Sequence, residues 1–272
     1  MEPRTLTSAQ NPIAQRFRRV ARGGGRKDGV FLLEGRHVFE EAKRVGWPLE
    51  VVLVDRREWP RWKLALRSLR PEPICYMVPG DLLERLGTAA TSQGVLGLGT
   101  RMDPEDPVPS RGELYLFLDR VQDPVNVGML IRSAVAFGAA GVFAGTGTAD
   151  PYHPTAMARS AGAVLHLPPL PRSHAGFLEW VRRSEVNLIG ARAGGAPPAP
   201  LGAHAPPAAL ALGNEGSGLS AELAAACGDT VAIPMREGWD SLNVAVAGSV
   251  LLRDLLRGEF EVPGRGTENR DL

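Results

Sequence analysis

The stretch LYLFLDRVQDPVNVGMLIRSAVAFGA, residues 114–139, decides the fold. Its opening, LYLFLD, is continuously apolar up to a terminal charge, the pattern of a strand covered on both faces. From Asn126 onward the apolar residues fall at helical spacing, and Asn126 stands where an N-cap would open that helix. The alternation continues outward from there. GVFAG (141–145) reads as a strand, PTAMARSAG (154–162) and FLEWVRRSE (177–185) as helices, and NLIGA (187–191) and AALALG (208–213) as strands. LSAELAAAC (219–227) reads as a helix and TVAIP (230–234) as a strand. SLNVAVAGSVLLRDLLRG (241–258) is predicted to be a long last helix ending at Gly258, with Ser241 as its N-cap and Asn243 in its first turn. Strands that alternate with helices predict a mainly parallel sheet with helices on both faces, an α/β fold.

Before this unit, residues 12–22 and 36–46 have helical spacing and are each followed by a strand-like run, Val30–Leu33 and Val51–Val54. That predicts a smaller α/β domain over 1–100. RMDPEDPVPSRG (101–112), with three prolines and no periodicity, reads as a linker to the larger domain over 113–258. The Pro- and Gly-rich stretch 194–207 reads as a loop within that domain, and 259–272, polar and charged, as a disordered tail.

Among 272 residues there are two cysteines, Cys75 and Cys227, and five scattered histidines, so neither a disulfide framework nor a metal site is expected. Apolar runs are short and interrupted, which predicts no membrane span. The first residues lack the apolar core of an export signal, so a cytoplasmic location is expected. The net charge of +1 hides an uneven distribution. Residues 1–30 hold seven basic groups, Arg4, Arg16, Arg18, Arg19, Arg22, Arg26 and Lys27, against Glu2 and Asp28. Such a run is either a solvated face or a footprint for phosphates; Arg16, Arg18, Arg19, Arg22, Arg26 and Lys27 are the candidate RNA contacts.

Three polar clusters fall where strands meet loops or helices, the place where open α/β sheets bind ligands. They are DRVQDPVNVGMLIR (119–132), LGNEGSGL (212–219) and IPMREGWDSLNVAVA (233–247). Taken singly, each has a plain structural reading: Asn126 as a cap, Arg132 as a surface charge, Gly213, Gly216 and Gly218 as a turn. Occurring together in this order, they resemble the three motifs of the SpoU (TrmH-type) RNA ribose methyltransferases of the SPOUT superfamily. The resemblance covers about 113–257. It reaches into the first domain, where SAQNP (8–12), FLLEG (31–35) and SQGVL (92–96) look like the RNA substrate-binding domain of the ribosomal-RNA members. Asp240, where many members have Glu or Ser, and the proline-rich 194–207 loop depart from the family pattern.

The resemblance implies a C-terminal part threaded into a trefoil knot, S-adenosylmethionine as cofactor, and a homodimer joined by the final helix and the helix of the first motif. It implies cofactor contacts by Gly213, Ile233 and Leu242, with Gly216, Met235 and Ala191 beside them. The implied catalytic group is Arg132, with Asn126, Glu215, Ser241 and Asn243. The implied substrate is a ribose 2′-hydroxyl in structured RNA, 23S ribosomal RNA foremost; a transfer RNA and a non-catalytic RNA-binding relative are the alternatives. A guanidinium with a pKa above about 12 is a poor general base, so Arg132 is expected to act as a forked cation on the phosphate and the developing alkoxide. The proton would then go to phosphate or solvent. A dinucleotide oxidoreductase, suggested by GTGTAD (145–150), lacks the third glycine of that fingerprint.

Overall fold

The computed structural model describes residues 2–89, 92–202, 204–236 and 241–256. The expected tail, the final glycine stop at Gly258 and the departure at Asp240 lie outside the described residues. The first lobe comprises β1 (Arg4–Thr5), α1 (Pro12–Arg19), β2 (Val30–Glu34), α2 (Arg36–Arg44), β3 (Leu49–Asp55), α3 (Trp59–Arg67), β4 (Ile74–Val78), α4 (Gly80–Leu86) and β5 (Val95–Thr100). Its five-stranded sheet has the order β1-β4-β3-β5-β2. β1, β4 and β3 run parallel, and β5 lies antiparallel to both β3 and β2.

The second lobe contains β6 (Leu114–Leu118), α5 (Pro124–Phe137), β7 (Gly141–Gly145), α6 (Pro154–Ser160), α7 (Ala163–His166), β8 (Leu170–Arg172), α8 (His174–Arg183), β9 (Asn187–Ala196), β10 (Ala208–Leu212), α9 (Ala221–Ala226), β11 (Asp229–Val231) and α10 (Val244–Leu255). Its six strands are ordered β11-β9-β10-β6-β7-β8, and every pairing is parallel. β6 and β10 are buried along their whole length, as their unbroken apolar runs require. On one face Tyr115, Phe117 and Phe143 pack against Phe177 and Trp180 of α8. α5, α6 and α10 cover the other. Gly128 permits the close approach there, because a Cβ on it would lie 2.4 Å from the Ala156 carbonyl oxygen.

Helix starts differ from the sequence expectation in two places. α5 begins at Pro124 and is capped by Asp123, whose carboxylate accepts from the Val125 amide at 2.8 Å; Asn126 is not the cap. Asp followed by Pro makes an efficient start, since proline has no amide to satisfy in the first turn. α10 is capped by Asn243, which accepts from the Ala245 and Val246 amides at 2.9 and 3.2 Å; Ser241 lies two residues ahead and exposed. The strand at 230–234 is shorter than expected and shifted, spanning Asp229–Val231. The edge strand β8 escapes sequence reading because it is short and contains Pro171, which only an edge position tolerates.

The segment 101–112 has no regular structure, yet it is strapped down along its length. Asp106 accepts from Arg172 at 2.9 and 2.7 Å, and the Trp180 indole donates to the Pro107 carbonyl at 3.0 Å. Arg101 forks onto Asp150 at 2.9 and 2.6 Å and also donates to the Val30 carbonyl. The rings of Phe31 and Tyr152 meet at 4.9 Å, and one continuous apolar cluster runs from the first lobe into the second. The two lobes therefore share a core.

Candidate active site

At the carboxyl ends of β9, β10 and β11, the following loops and the start of α10 enclose a cavity of about 460 Å³. That lies within the range of small-molecule sites. Ala191, Gly213, Ile233, Met235 and Leu242 line it, joined by the catalytic candidates Glu215 and Ser241. Gly216 sits on the same loop but outside the lining, and Arg132 does not reach the cavity of its own chain. Leu212, Val244 and Leu251 add apolar wall that the sequence reading had not singled out.

The loop after β10 is held rigidly. The backbones of Asn214 and Gly218 bond to each other at 3.0 and 2.9 Å, and the Asn214 side-chain oxygen accepts from the Gly216 and Ser217 amides. Only glycine fits at Gly213, where a Cβ would lie 2.2 Å from the Gly218 backbone. Asn126, buried on α5, donates from Nδ2 to Glu215 Oε1 at 2.8 Å and accepts from Asn243 Nδ2 at 3.0 Å. This chain of side chains ties the helix of the first cluster, the loop of the second and the helix start of the third into one unit. Since Asn243 also caps α10, its amide orientation is fixed, and that of Asn126 follows.

A second set of contacts, missed in the sequence, supports the same loop from below. Asp119, at the end of β6, is wholly buried and accepts from Arg120 Nε at 3.0 Å, His174 Nε2 at 2.8 Å and the Ser220 amide at 2.6 Å. Arg120 in turn donates to the Gly218 carbonyl at 3.1 Å and accepts from Asn214 Nδ2 on its own carbonyl. Burial pushes the Asp119 carboxyl up, but Arg120, the Ser220 amide and His174 outweigh it and hold the group below its ordinary range. A carboxylate closing a continuously apolar strand was the available signal. For His174, distant in sequence, there was none.

The basic run of the first lobe separates into two groups. Arg16 is paired with Glu50 at 2.8 Å and Arg19 with Asp28. Arg18, Arg22, Arg26 and Lys27 have no carboxylate partner among the described residues, and the last three are exposed. The motif residues of this lobe brace its loops. Asn11 caps α1 through the Ile13 amide, Glu34 accepts from the Thr88 and Ala89 amides, and Gln93 accepts from the Arg36 amide.

Comparison with known proteins matches residues 113–253 to the profile described as the SpoU rRNA Methylase family. The chain is 31% identical to the Bacillus subtilis 23S rRNA (guanosine(2553)-2'-O)-methyltransferase RlmP, over 84% of this chain and 89% of that protein. It is 33% identical to the 23S rRNA (uridine(2479)-2'-O)-methyltransferase of Streptomyces viridochromogenes, over 84% and 83%. Among solved structures, the SpoU methyltransferase AviRb of Streptomyces viridochromogenes in complex with the cofactor AdoMet aligns with a TM-score of 0.79 at 30% identity, covering 94% of this chain and 100% of that one.

Asp119→Asn should lower stability at pH 7 by about 3 kcal/mol in urea denaturation, because the amide cannot accept from all three donors and leaves buried groups unpaired. The pH dependence follows from the lowered pKa. The carboxylate's contribution is complete above its unfolded pKa of about 3.9 and is lost as pH falls through the lower folded value. The gap between wild type and variant should therefore narrow below about pH 4.

Proposed function

The chain belongs to the SpoU rRNA methylase family, and we propose on that premise that it is an S-adenosylmethionine-dependent methyltransferase acting on a ribose 2′-hydroxyl of ribosomal RNA. The observation that carries this reading is the locking of three separate polar clusters to one another through Asn126, Glu215 and Asn243, with the second and third of them lining one cavity. The relatives described as 23S rRNA 2'-O-methyltransferases agree with it, and their different target nucleotides leave the position in the RNA open. With such a substrate, the cytoplasm is the compartment we assign to the protein.

The residues present suit the cofactor. Ile233, Met235, Leu242 and Leu251 offer apolar surface for a purine, and the close backbone of the 213–218 loop offers amides and carbonyls for its edges. When bound there, S-adenosylmethionine supplies an electrophilic methyl carbon on sulfonium. Glu215 and Asn126 keep the loop and α5 in fixed register, so the acceptor oxygen meets a preorganised site. Arg132 is the residue we assign to the RNA. It is exposed on α5, one turn from Met129, and its fork would hold the neighbouring phosphate and stabilise the developing alkoxide. Ser241, exposed at the cavity mouth, is assigned to positioning the substrate. The RNA-binding role falls to the first lobe, 1–100, with Arg18, Arg22, Arg26 and Lys27 as phosphate contacts, and the methyl-transfer role to 113–258. The knotted threading implied by the family is part of the same proposal.

We also propose a homodimer. α5 and α10 pack together, with Ser133 and Ser249 hydroxyls 2.7 Å apart, and leave Met129 and Val246 39% and 44% exposed. Large apolar side chains on adjoining helices are the surface that a second copy would cover. Arg132 lies on that face, and pairing would carry it to a site shared by two chains.

The full chain incubated with S-adenosylmethionine and 23S rRNA should methylate one ribose, and a 2′-deoxy substitution at that nucleotide should abolish transfer; methylation of the deoxy substrate would mean that the target is a base. Arg132→Lys should keep cofactor affinity but reduce kcat/KM by about a hundredfold, because a lysine point charge lacks the fork. Light scattering at micromolar concentration should give twice the 29.1 kDa chain mass.

A further inference from the structure

One wall of the cavity at the carboxyl ends of β9, β10 and β11 comes from a break in the sheet. The pairing of β9 with β10 ends at Gly190. On the other side of β9, the consecutive residues Thr230 and Val231 of β11 pair with Gly190 and Ala196. Residues 191–195 are therefore thrown out of the ladder, an excursion larger than the single extra residue of an ordinary bulge. Gly194, at a φ of 75°, makes the return, and Gly195 passes so close to β11 that a Cβ on it would lie 2.6 Å from the Val231 carbonyl carbon. Ala191, Arg192, Ala193 and Gly194 of this excursion line the cavity, and Arg192 is exposed.

We infer that Arg192 binds the α-carboxylate of S-adenosylmethionine, at the far end of the cofactor from its purine; the inference rests on the cofactor reading above. Charge carries the assignment. Among the described residues that line the cavity, Arg192 and Glu215 alone are charged, and both are exposed. Glu215 accepts from two neutral amides, Asn126 Nδ2 at 2.8 Å and Asn214 Nδ2 at 3.3 Å, which fix its carboxylate without cancelling its charge. Arg192 has no carboxylate partner among the described residues, Glu215 included.

A cavity that holds one cation and one anion apart, each open to solvent, suits a ligand with both signs of charge. S-adenosylmethionine has that pattern, with a carboxylate, an ammonium and a sulfonium toward one end and an uncharged nucleoside at the other. The nucleoside matches the apolar wall of Ile233, Met235, Leu242 and Leu251, which leaves the charged end for Arg192 and Glu215. Glu215 attracts the two cationic groups and repels the carboxylate. The carboxylate is thereby directed to Arg192, whose planar fork can bind both of its oxygens. No existing ion pair has to be given up for this contact. Arg192 thus sets a preference for adenosyl ligands that keep the amino-acid carboxylate.

Calorimetry on the full chain tests the assignment. Arg192→Gln should raise the Kd for S-adenosylmethionine and for S-adenosylhomocysteine by about fivefold, the upper worth of a solvent-exposed ion pair. Decarboxylated S-adenosylmethionine keeps the ammonium and the sulfonium but lacks the carboxylate. Its Kd should stay within about twofold of the wild-type value, which also shows that the cavity of the variant is intact. An unchanged Kd for S-adenosylmethionine in the variant overturns the inference. So does an equal loss of affinity for the decarboxylated ligand, which would assign the effect to the shape of the 191–195 excursion. If the wild type binds none of these ligands, the cofactor reading itself falls and the role of Arg192 falls with it; if the wild type binds them and only the variant fails to differ, the cofactor reading stands without Arg192.

Discussion

The carboxylate of Asp119 is the constraint on which the site depends. It ends the central strand β6 inside the protein, where an ionised group is tolerated only when donors replace the water it has lost. Those donors come from elsewhere in the chain: His174 from the start of α8, the Ser220 amide from the start of α9, and Arg120 beside it. Satisfying one buried charge thereby sets the positions of two helices. Through Arg120 it also sets the loop 214–218, which forms a wall of the cavity. Arg120 accepts a positive φ of 56° to make both contacts, a conformation that a non-glycine residue keeps only where its surroundings enforce it.

Above this layer lies a second, built from two amides and a carboxylate. Asn126, Asn243 and Glu215 join helix to helix to loop through two hydrogen bonds between α5, α10 and the 213–218 loop. Amides suit this role, because they donate and accept at once and so fix orientation along the chain of bonds. Asn243 serves twice, as the cap of α10 and as a donor to Asn126. A change in that residue would loosen the helix start and the loop beside the cavity together, so the shape of the site and the stability of the fold are coupled at this point.

The lobes meet through a rigid contact. The Pro-rich segment 101–112 reads as a tether, and its composition is indeed that of one. In the folded protein Arg101, Asp106 and Pro107 each find partners in the second lobe, and Phe31 packs on Tyr152. Basic residues of the first lobe are consequently held at a fixed position relative to the loops around the cavity of the second. On the proposed division of labour, an RNA bound to the first lobe would be presented to the second without a search through flexible arrangements.

The amino-acid sequence by itself determined the α/β class of the second lobe, because long apolar strands such as 114–118 and 208–212 and amphipathic spacing between them admit few other arrangements. It also contained the three clusters, two that line the cavity and one that braces them through Asn126, legible because their residues are contiguous. The local roles within them were decided by the tertiary structure. Asn126 reads as a cap until Asp123 is seen to cap the helix, which frees Asn126 for Glu215, 89 positions away in sequence. Ser241 gave way to Asn243 for the same kind of reason. His174 had no sequence signal at all, since its partner lies 55 positions earlier and only the packing of α8 beside β6 brings the two within 2.8 Å. Periodicity reports which face of an element is buried. Which polar groups meet inside depends on the crossing of elements far apart in the chain, and only the assembled sheet and its helices fix those encounters.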